Sequence, residues 1–202
     1  MKVLLGISGA SGAVYGVRTL SLLLARGADV HVLVTKTAWG ILASEVGDDN
    51  LPGGTDERRV ELARLSASSR PFRLCAEDDF GIPFASGSNP PDAMIVAPCS
   101  MGTLGRIAHG VSSSVLTRCA DVVLKERKPL VLVARETPLS VIHLENMLTL
   151  ARAGAHVLPA CPGFYHRPET VSGLVDFVVS RALSCIGIDA GVLPRWGEGK
   201  EK

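Results

Sequence analysis

Three short polar segments, each directly after a run of apolar residues, are the parts of the sequence that could bind an anion. They are residues 8–12, residues 98–103 and residues 135–137. Each is predicted to lie between the end of a strand and the start of a helix, where free backbone N–H groups and the helix dipole favour a phosphate or a carboxylate. Because residues 8–12 and residues 98–103 both carry small hydroxyl side chains, the two turns together predict a bound mononucleotide more strongly than either turn would alone.

The first segment belongs to a glycine-rich loop, residues 6–12, which reads Gly-Ile-Ser-Gly-Ala-Ser-Gly. It matches neither the G-x-G-x-x-G dinucleotide fingerprint nor the P-loop, which needs a lysine. Thr35 stands at the end of the second predicted strand, where a dinucleotide site places Asp or Glu to bind the ribose. The loop therefore favours FMN over NAD, although a tight turn that needs glycine only for packing explains the loop equally well when it is considered alone.

Arg135 and Glu136 end a strand that is otherwise apolar. At the ligand-binding edge of a sheet, such a pair could bind an anion and transfer a proton, whereas a surface ion pair is the alternative. Cys99 also follows a strand, but a packed core thiol is the better interpretation because the sequence places no histidine beside it. The five histidines lack metal-ligand spacing, so no metal site is predicted.

Strands and helices alternate along the chain. Strands are predicted at residues 3–7, 30–34, 93–97, 130–134 and 156–158, and helices at residues 13–26, 36–45, 56–65, 101–109, 115–126, 137–153 and 171–186. The third strand is expected to close at Pro98, and the sixth helix to begin with Thr137 as its cap and Pro138 at its first position. The alternation predicts an α/β fold with one doubly wound parallel sheet, and ligands are expected at the carboxyl ends of its strands.

The composition agrees with a core covered on both faces of a sheet. Of the 202 residues, 47% are hydrophobic but only 4% are aromatic, which is typical of buried parallel strands built from Val, Leu, Ile and Ala. The net charge of +1 does not indicate nucleic-acid binding. Five scattered cysteines without a C-x-x-C pair, no signal peptide and no long apolar run predict a cytoplasmic protein without a membrane span.

Several strings along the chain resemble the UbiX (Pad-type) flavin prenyltransferases, and the resemblance extends in order from Lys2 to about Trp196. The strings are residues 9–12 (GASG), 98–100 (PCS), 116–118 (LTR), 120–127 (ADVVLKER), 135–138 (RETP), 143–147 (HLENM) and 163–168 (GFYHRP). The resemblance implies a Rossmann-like, flavodoxin-like fold. It implies an FMN-binding domain over residues 1–190, followed by a tail, residues 191–202, that closes over the site.

The resemblance also implies an activity. Members of this family join dimethylallyl phosphate, or in some members the pyrophosphate, to N5 and C6 of reduced FMN without a metal. The product, prenylated FMN, is passed to a UbiD-type decarboxylase. The resemblance further implies that the enzyme forms a dodecamer whose active sites are shared between subunits. This chain is therefore expected to form a homo-oligomer of that kind.

Position by position, the resemblance assigns four sets of residues. FMN binding is assigned to Gly9, Ala10, Ser11, Thr35, Ser100, Met101, Gly102, Thr103 and Arg135. The prenyl phosphate is assigned to Tyr165 and Arg181, with Arg118 and Lys125 contributed by a neighbouring subunit. The loop beside the prenyl group is Ala85, Ser86 and Gly87, and Trp196 is the residue of the tail that closes over the site. Proton handling is assigned to Glu45 and Glu136, and Ser11 is counted with them as catalytic.

Three other functions are compatible with such a fold. A decarboxylase of the phosphopantothenoylcysteine type would carry a catalytic histidine after the first helix, but residues 37–40 read Thr-Ala-Trp-Gly. A flavin carrier without activity would not need Arg118, Lys125, Tyr165 and Arg181 together. A nicotinamide oxidoreductase is disfavoured because Thr35 replaces the acidic residue.

Overall fold

The computed structural model describes residues 1–47 and 53–193. The strands are β1 (Lys2–Ile7), β2 (Asp29–Val34), β3 (Arg73–Cys75), β4 (Ala93–Cys99), β5 (Leu130–Ala134) and β6 (His156–Pro159). The helices are α1 (Ala13–Ala25), α2 (Lys36–Val46), α3 (Thr55–Leu65), α4 (Met101–Ala108), α5 (Val115–Lys125), α6 (Val141–Arg152) and α7 (Val171–Ser184). A short 3-10 helix spans Pro83–Ala85.

The six strands form one parallel sheet in the order β3-β2-β1-β4-β5-β6. The chain moves outward from β1 to β3 and then returns to β4 on the other side of β1. The carboxyl ends of β1 and β4 therefore frame the topological switch point, where open α/β sheets bind ligands. The predicted fold class, a doubly wound parallel sheet, is confirmed.

Alternate residues of each strand pack into two separate cores, one on each face of the sheet. Val3, Leu5 and Ile7 contribute to a core with α1, α2 and α7, while Leu4 contributes to a core with α4 and α5. Strands that are buried on both faces explain the continuous apolar runs in the sequence. None of the helices in the described ranges is long and apolar enough to cross a membrane.

The start of α6 corrects a prediction. The helix does not begin at Thr137 and Pro138; it begins at Val141, because Ser140 is its cap. The Ser140 hydroxyl accepts from the backbone N of His143 at 3.2 Å, and His143 Nδ1 accepts from the Ser140 backbone N at 3.2 Å. This reciprocal pair is a capping box whose third residue is histidine rather than Glu or Gln. The third strand-end segment, residues 135–137, is consequently not a helix N-terminus.

Two strand assignments also differ from the sequence prediction. β4 does not close at Pro98 but continues to Cys99, which pairs with Ala134 after an irregularity in the register beyond Val96. Proline has no N–H to donate to the ladder, so it is tolerated where the regular pairing is interrupted. The edge strand β3 was not predicted, since three residues are too few to show an alternating pattern.

Candidate functional site

Ser8 joins the two loops that meet at the switch point. The side chain is 1% exposed. Its hydroxyl donates to the carbonyl oxygen of Pro98 at 2.9 Å and accepts from the backbone N of Ser100 at 2.9 Å. The backbone N of Ser8 donates to the same Pro98 oxygen at 3.2 Å. The loop after β1 and the loop after β4 are therefore held at a fixed separation. The sequence placed Ser8 in the loop but gave no sign of this bridge.

Gly9 forms a cradle that a side chain would fill. A Cβ at this position would lie 2.8 Å from Cβ and Cγ2 of Thr37, which is closer than real Cβ contacts allow. Glycine therefore lets the backbone approach both Thr37 and a ligand. Beside this cradle lies a cavity of about 320 Å³, lined among others by Gly9, Thr35, Ser100, Gly102, Thr103 and Arg106.

A chain of polar groups closes one side of this cavity at the start of α4. The Ser100 hydroxyl accepts from the Thr103 backbone N at 3.3 Å and donates to the Thr103 hydroxyl at 3.1 Å. Arg106 donates from a guanidinium N to the Thr103 hydroxyl at 3.2 Å. A helix N-terminus with two hydroxyls and a guanidinium is suited to a phosphate. Arg106 was missed by sequence reasoning, although its position three residues after Thr103 puts both on one helix face.

The N-termini of α1 and α2 are already capped by carboxylates of the chain itself. Glu45 accepts from the backbone N of Gly12 and of Ala13, both at 2.8 Å. Glu77 accepts from the backbone N of Lys36 at 2.6 Å. Glu45 thus satisfies two of the backbone donors that the sequence predicted to be free at the helix start after the glycine-rich loop. Of the N-termini of α1, α2 and α4, the N-terminus of α4, where Ser100 is the cap, is the one that remains for an anion.

Glu45 is ionised at neutral pH. Burial raises the pKa of its carboxyl, but hydrogen bonds from the Ser11 hydroxyl and from the backbone of Ala13 and Gly12, together with the charge of Arg135, outweigh burial and lower the pKa below its ordinary value. The structure thus brings together Glu45 and Ser11, which the sequence could not place relative to each other. In the free protein Glu45 is a hydrogen-bond acceptor that orients Ser11.

Replacing Glu45 with glutamine is expected to lower the free energy of unfolding at pH 7 by about 0.5–1 kcal/mol, the lower part of the range for helix caps because the side chain is exposed. Since the folded-state pKa is lowered, the contribution is complete above the ordinary value of 4.5 and is lost as the pH falls through the folded value. Thermal unfolding from pH 7 to pH 3 should show the difference from the parent protein shrink only below about pH 4.5. Glu145→Gln, an exposed change on α6, should show no such difference, and a difference for Glu45→Gln that persists at pH 3 would contradict the assignment.

Arg135 lies against Gly12, the last residue of the glycine-rich loop, with part of its guanidinium unused. Its Nε is buried and makes no hydrogen bond within the residues that the structure describes. Its backbone N donates to the Cys99 carbonyl at 3.2 Å, which continues the sheet ladder beyond β5. A buried guanidinium nitrogen without an acceptor is costly, so the arrangement fits an anionic or carbonyl group of a ligand at this point.

Glu136 follows Arg135 at the end of β5 and is half-buried. One carboxylate oxygen accepts from the backbone N of Thr137 at 3.0 Å. The Thr137 hydroxyl donates to the Glu136 carbonyl at 2.8 Å. The first of these bonds occupies only part of the acceptor capacity of the carboxylate, which leaves carboxylate lone pairs free at the same sheet edge.

The loop predicted to lie beside the prenyl group forms a second group of residues with α5. Arg118 donates from Nε to the Ala85 carbonyl at 3.0 Å and from another nitrogen to Asp121 at 2.8 Å. Lys125 donates to Glu126 at 2.7 Å, and both side chains pack against the Cα of Gly87. The structure thus brings residues 85–87 together with both cations that the resemblance assigned to a neighbouring subunit.

Tyr165 and Arg181 form a third group. Both line a cavity of about 390 Å³ beside α7, together with Phe177 and Ser180. The imidazole of His166 stacks on Phe177 with ring centroids 5.5 Å apart, and Tyr165 packs edge-on against both rings. Neither Arg118 nor Lys125 is among the residues that line this cavity.

Helix α7, which carries Arg181, is fixed to α1 by a bidentate ion pair. Arg18 donates from Nε and a terminal nitrogen to the two carboxylate oxygens of Asp176, at 2.6 and 3.2 Å. Because α1 begins at the glycine-rich loop, the pair fixes the third group relative to that loop. Trp196 lies outside the described residues.

Cys99 is a core thiol, as predicted. It is fully buried, and burial raises its pKa to about 12. Such a thiol remains protonated and is a poor nucleophile. Within residues 1–47 and 53–193, no group of three or more His, Cys, Asp or Glu side chains is arranged to hold a metal ion.

The sequence matches a known family model and several known proteins. A sequence model of the Flavoprotein family matches residues 1–183. The flavin prenyltransferase UbiX of Pseudomonas aeruginosa is 48% identical over 198 residues, which are 98% of this chain and 94% of the relative. The flavin prenyltransferase UbiX of Halalkalibacterium halodurans is 45% identical over 97% of this chain and 93% of the relative.

Solved structures agree with the sequence comparison. The structure of AnUbiX (PadA1) in complex with FMN and dimethylallyl pyrophosphate has a TM-score of 0.85 at 37% identity, with 96% of each chain covered. A dodecameric FMN-dependent UbiX-like decarboxylase from Escherichia coli O157:H7 has a TM-score of 0.81 at 39% identity, with 94% of this chain and 96% of the other covered. A PPC decarboxylase mutant, at 23% identity and a TM-score of 0.54 over 85% of this chain and 86% of the other, shares the fold alone.

Proposed function

The chain belongs to the Flavoprotein family and, within it, to the UbiX flavin prenyltransferases, and on that premise we propose that it joins the dimethylallyl group of dimethylallyl phosphate to N5 and C6 of reduced FMN. The C–O bond to the phosphate breaks as C1 of the dimethylallyl group bonds to N5, and the proton on N5 is lost. The C=C double bond of the allyl group is then protonated at C2 and opened as C3 bonds to C6, and the proton on C6 is lost, so that one prenyl unit is added in total. The observation that carries the proposal is the buried Nε of Arg135, which has no acceptor within the described residues and belongs to a side chain that lies against Gly12 of the glycine-rich loop.

We place the flavin phosphate at the start of α4, because the chain's own carboxylates cap α1 and α2. The hydroxyls of Thr35, Ser100 and Thr103 are the donors expected there, with Met101 and Gly102 in the first turn of the helix. Gly9, Ala10 and Ser11 then face the remainder of the flavin, where Arg135 supplies its free Nε. Arg106 is added to the assigned set because its guanidinium already contacts Thr103.

When bound and reduced, FMN supplies the nitrogen and carbon atoms that are alkylated. The chain's residues must neutralise the phosphate as it leaves without a metal, and Tyr165, Arg181 and the cations of the second group are donors suited to that charge. The loop formed by Ala85, Ser86 and Gly87 would keep water from the allyl group. Either Glu136 or the released phosphate takes up the proton from C6. The ionised Glu45 accepts a hydrogen bond from Ser11 and thereby orients the Ser11 hydroxyl.

The active site is proposed to be shared between subunits. Arg118 and Lys125 lie with loop 85–87 and do not line the cavity of Tyr165 and Arg181, which agrees with a contribution from a neighbouring copy. One of the similar solved structures is a dodecamer, which supports a dodecamer of this chain. In this assembly residues 1–190 form the flavin domain and residues 191–202, with Trp196, form the tail that closes over the site.

The proposed product, prenylated FMN, is a modified cofactor, and we propose a UbiD-type decarboxylase as its recipient. The five cysteines of the described chain are all free thiols, which supports placing the enzyme in a reducing compartment, the cytoplasm.

Anaerobic incubation of the protein with reduced FMN and dimethylallyl phosphate, followed by mass spectrometry of the released flavin, tests the reaction. We expect a flavin that is heavier than FMN by one prenyl unit. The pyrophosphate is tested in parallel because the sequence does not separate the two donors. Unmodified FMN with both donors, from protein that is shown to bind FMN, would contradict the proposal.

A further inference from the structure

One face of α7 forms a wall of the cavity that holds Tyr165 and Arg181. The residues of α7 that line it are Phe177, Ser180, Arg181 and Ser184. Their spacing of three, four and seven residues puts them on a single face of the helix. Ser180 and Ser184 carry hydroxyls, and these two hydroxyls differ in their hydrogen bonding.

The Ser180 hydroxyl is buried but makes no hydrogen bond within the part of the chain that the structure describes. Three other hydroxyls inside helices are satisfied by the carbonyl one turn earlier. Thr19 donates to Tyr15 O at 2.7 Å, Thr149 donates to Glu145 O at 2.9 Å, and Ser184 donates to Ser180 O at 2.9 Å. Ser180 has the same option on the same kind of helix and does not use it, so its hydroxyl has no partner within the described residues, although the residue lines the cavity.

A buried hydroxyl without a partner lowers the stability of a folded protein. The arrangement is explained if a ligand of the cavity accepts the hydrogen bond. Arg181, the next residue on α7, adds a cation to the same wall, and Tyr165 adds a phenol from the opposite loop. Hydroxyl, phenol and guanidinium donors together suit an anion with several acceptor oxygens.

We propose that the Ser180 hydroxyl is a further substrate-binding group, which donates a hydrogen bond to the phosphate of the prenyl donor beside Tyr165 and Arg181. This inference rests on the proposed function, since it takes the cavity to be the site of the prenyl phosphate. Ser180 was not among the residues that the sequence or the family resemblance indicated. The difference between Ser180 and Ser184 separates a binding hydroxyl from one that is committed to the helix.

The test measures binding without turnover. Dimethylallyl phosphate is titrated into the complex of the protein with oxidised FMN, and its Kd is determined by calorimetry. Ser180→Ala is expected to raise this Kd about tenfold, since a hydrogen bond to a charged group is lost. Ser184→Ala should change it by less than about twofold because that hydroxyl bonds the helix backbone. Ser180→Thr, which keeps the hydroxyl, should restore at least part of the affinity.

Two further readouts separate binding from a structural role. The Kd of FMN should be unchanged in Ser180→Ala, and its Tm should rise by about 2–4 °C because an unsatisfied buried donor is removed. A packing role for Ser180 would instead lower the Tm and leave the Kd of dimethylallyl phosphate unchanged. An unchanged Kd in Ser180→Ala, with normal prenylation by the parent protein, would overturn this inference alone. A parent protein that neither binds dimethylallyl phosphate nor modifies FMN would overturn the proposed function and this inference together.

Discussion

Replacing Arg135 with methionine is expected to weaken FMN binding about 100-fold, which corresponds to the loss of roughly 3 kcal/mol of charge-assisted hydrogen bonding. Methionine retains much of the length and the apolar stem of arginine, so the sheet edge should remain packed. The change removes a side-chain nitrogen beside the glycine-rich loop that is buried and has no acceptor among the described residues. Fluorescence titration of FMN with the purified variant gives the Kd directly.

The same substitution also removes a positive charge beside Glu45, so its effect on stability must be separated from its effect on binding. Arg135 lowers the pKa of Glu45 only as the last of several causes, and the Tm of the variant without FMN should therefore change little. Arg135→Lys keeps the charge but lacks the planar Nε donor, so we expect it to recover only part of the affinity.

Arg152→Met is the matched control, because Arg152 is an exposed arginine in the last turn of α6. It should bind FMN with the Kd of the parent protein. If Arg135→Met bound FMN as tightly as Arg152→Met does, the flavin would not contact this guanidinium, and the placement of FMN at the cradle would be wrong.

The fold could be predicted from the sequence where local patterns are long. The runs at β1 and β5 are continuous apolar segments, and the run at β2 is interrupted only by His31. Burial on both faces of a sheet is the direct cause of that pattern. The sequence pattern did not predict elements that are very short or whose capping residue lies outside the usual motif. A histidine completes the capping box of Ser140, so the start of α6 did not show in the sequence. The strand order depends on long-range pairing, which no local pattern contains.

The candidate site was predictable as a set of residues but not as an arrangement. Ser8 and Ser100 are 92 residues apart and are joined by a single hydrogen bond, which leaves no local signature. Glu45 caps α1 from 32 residues away, so the sequence suggested an empty anion site where the chain supplies its own anion. Ser180 is unusual only because it does not make the bond that Ser184 makes, and such a difference exists only in three dimensions.

The grouping of the predicted site residues has a consequence for assembly. Arg118 and Lys125 lie with loop 85–87, whereas Tyr165 and Arg181 line a different cavity. Helix α6 leaves several apolar side chains exposed, including Val141 at 69% and Ile142 at 67%, which is typical of a face that another copy of the chain covers. Both observations support a site that is completed only across a subunit interface.

Mixed oligomers test that arrangement with the largest expected change in activity. Lys125→Ala and Arg181→Ala are each expected to lose nearly all prenylation, because each removes a cation that neutralises the departing phosphate. When the two variants carry different tags, are co-expressed and are purified through both tags, activity should return to about a quarter of the parent value. In a random one-to-one assembly with shared sites, about one site in four receives both native residues.

The alternative arrangement gives a clear opposite result. If Lys125 and Arg181 acted on the same phosphate from within one subunit, every site of a mixed oligomer would lack one of them, and mixing would restore nothing. The matched control is the double variant Lys125→Ala/Arg181→Ala co-expressed with the parent chain, whose sites would retain about a quarter of the activity if shared and about half if not. Recovery of activity in the mixture of single variants therefore requires a neighbouring copy to supply Lys125, since no single chain in that mixture holds both cations.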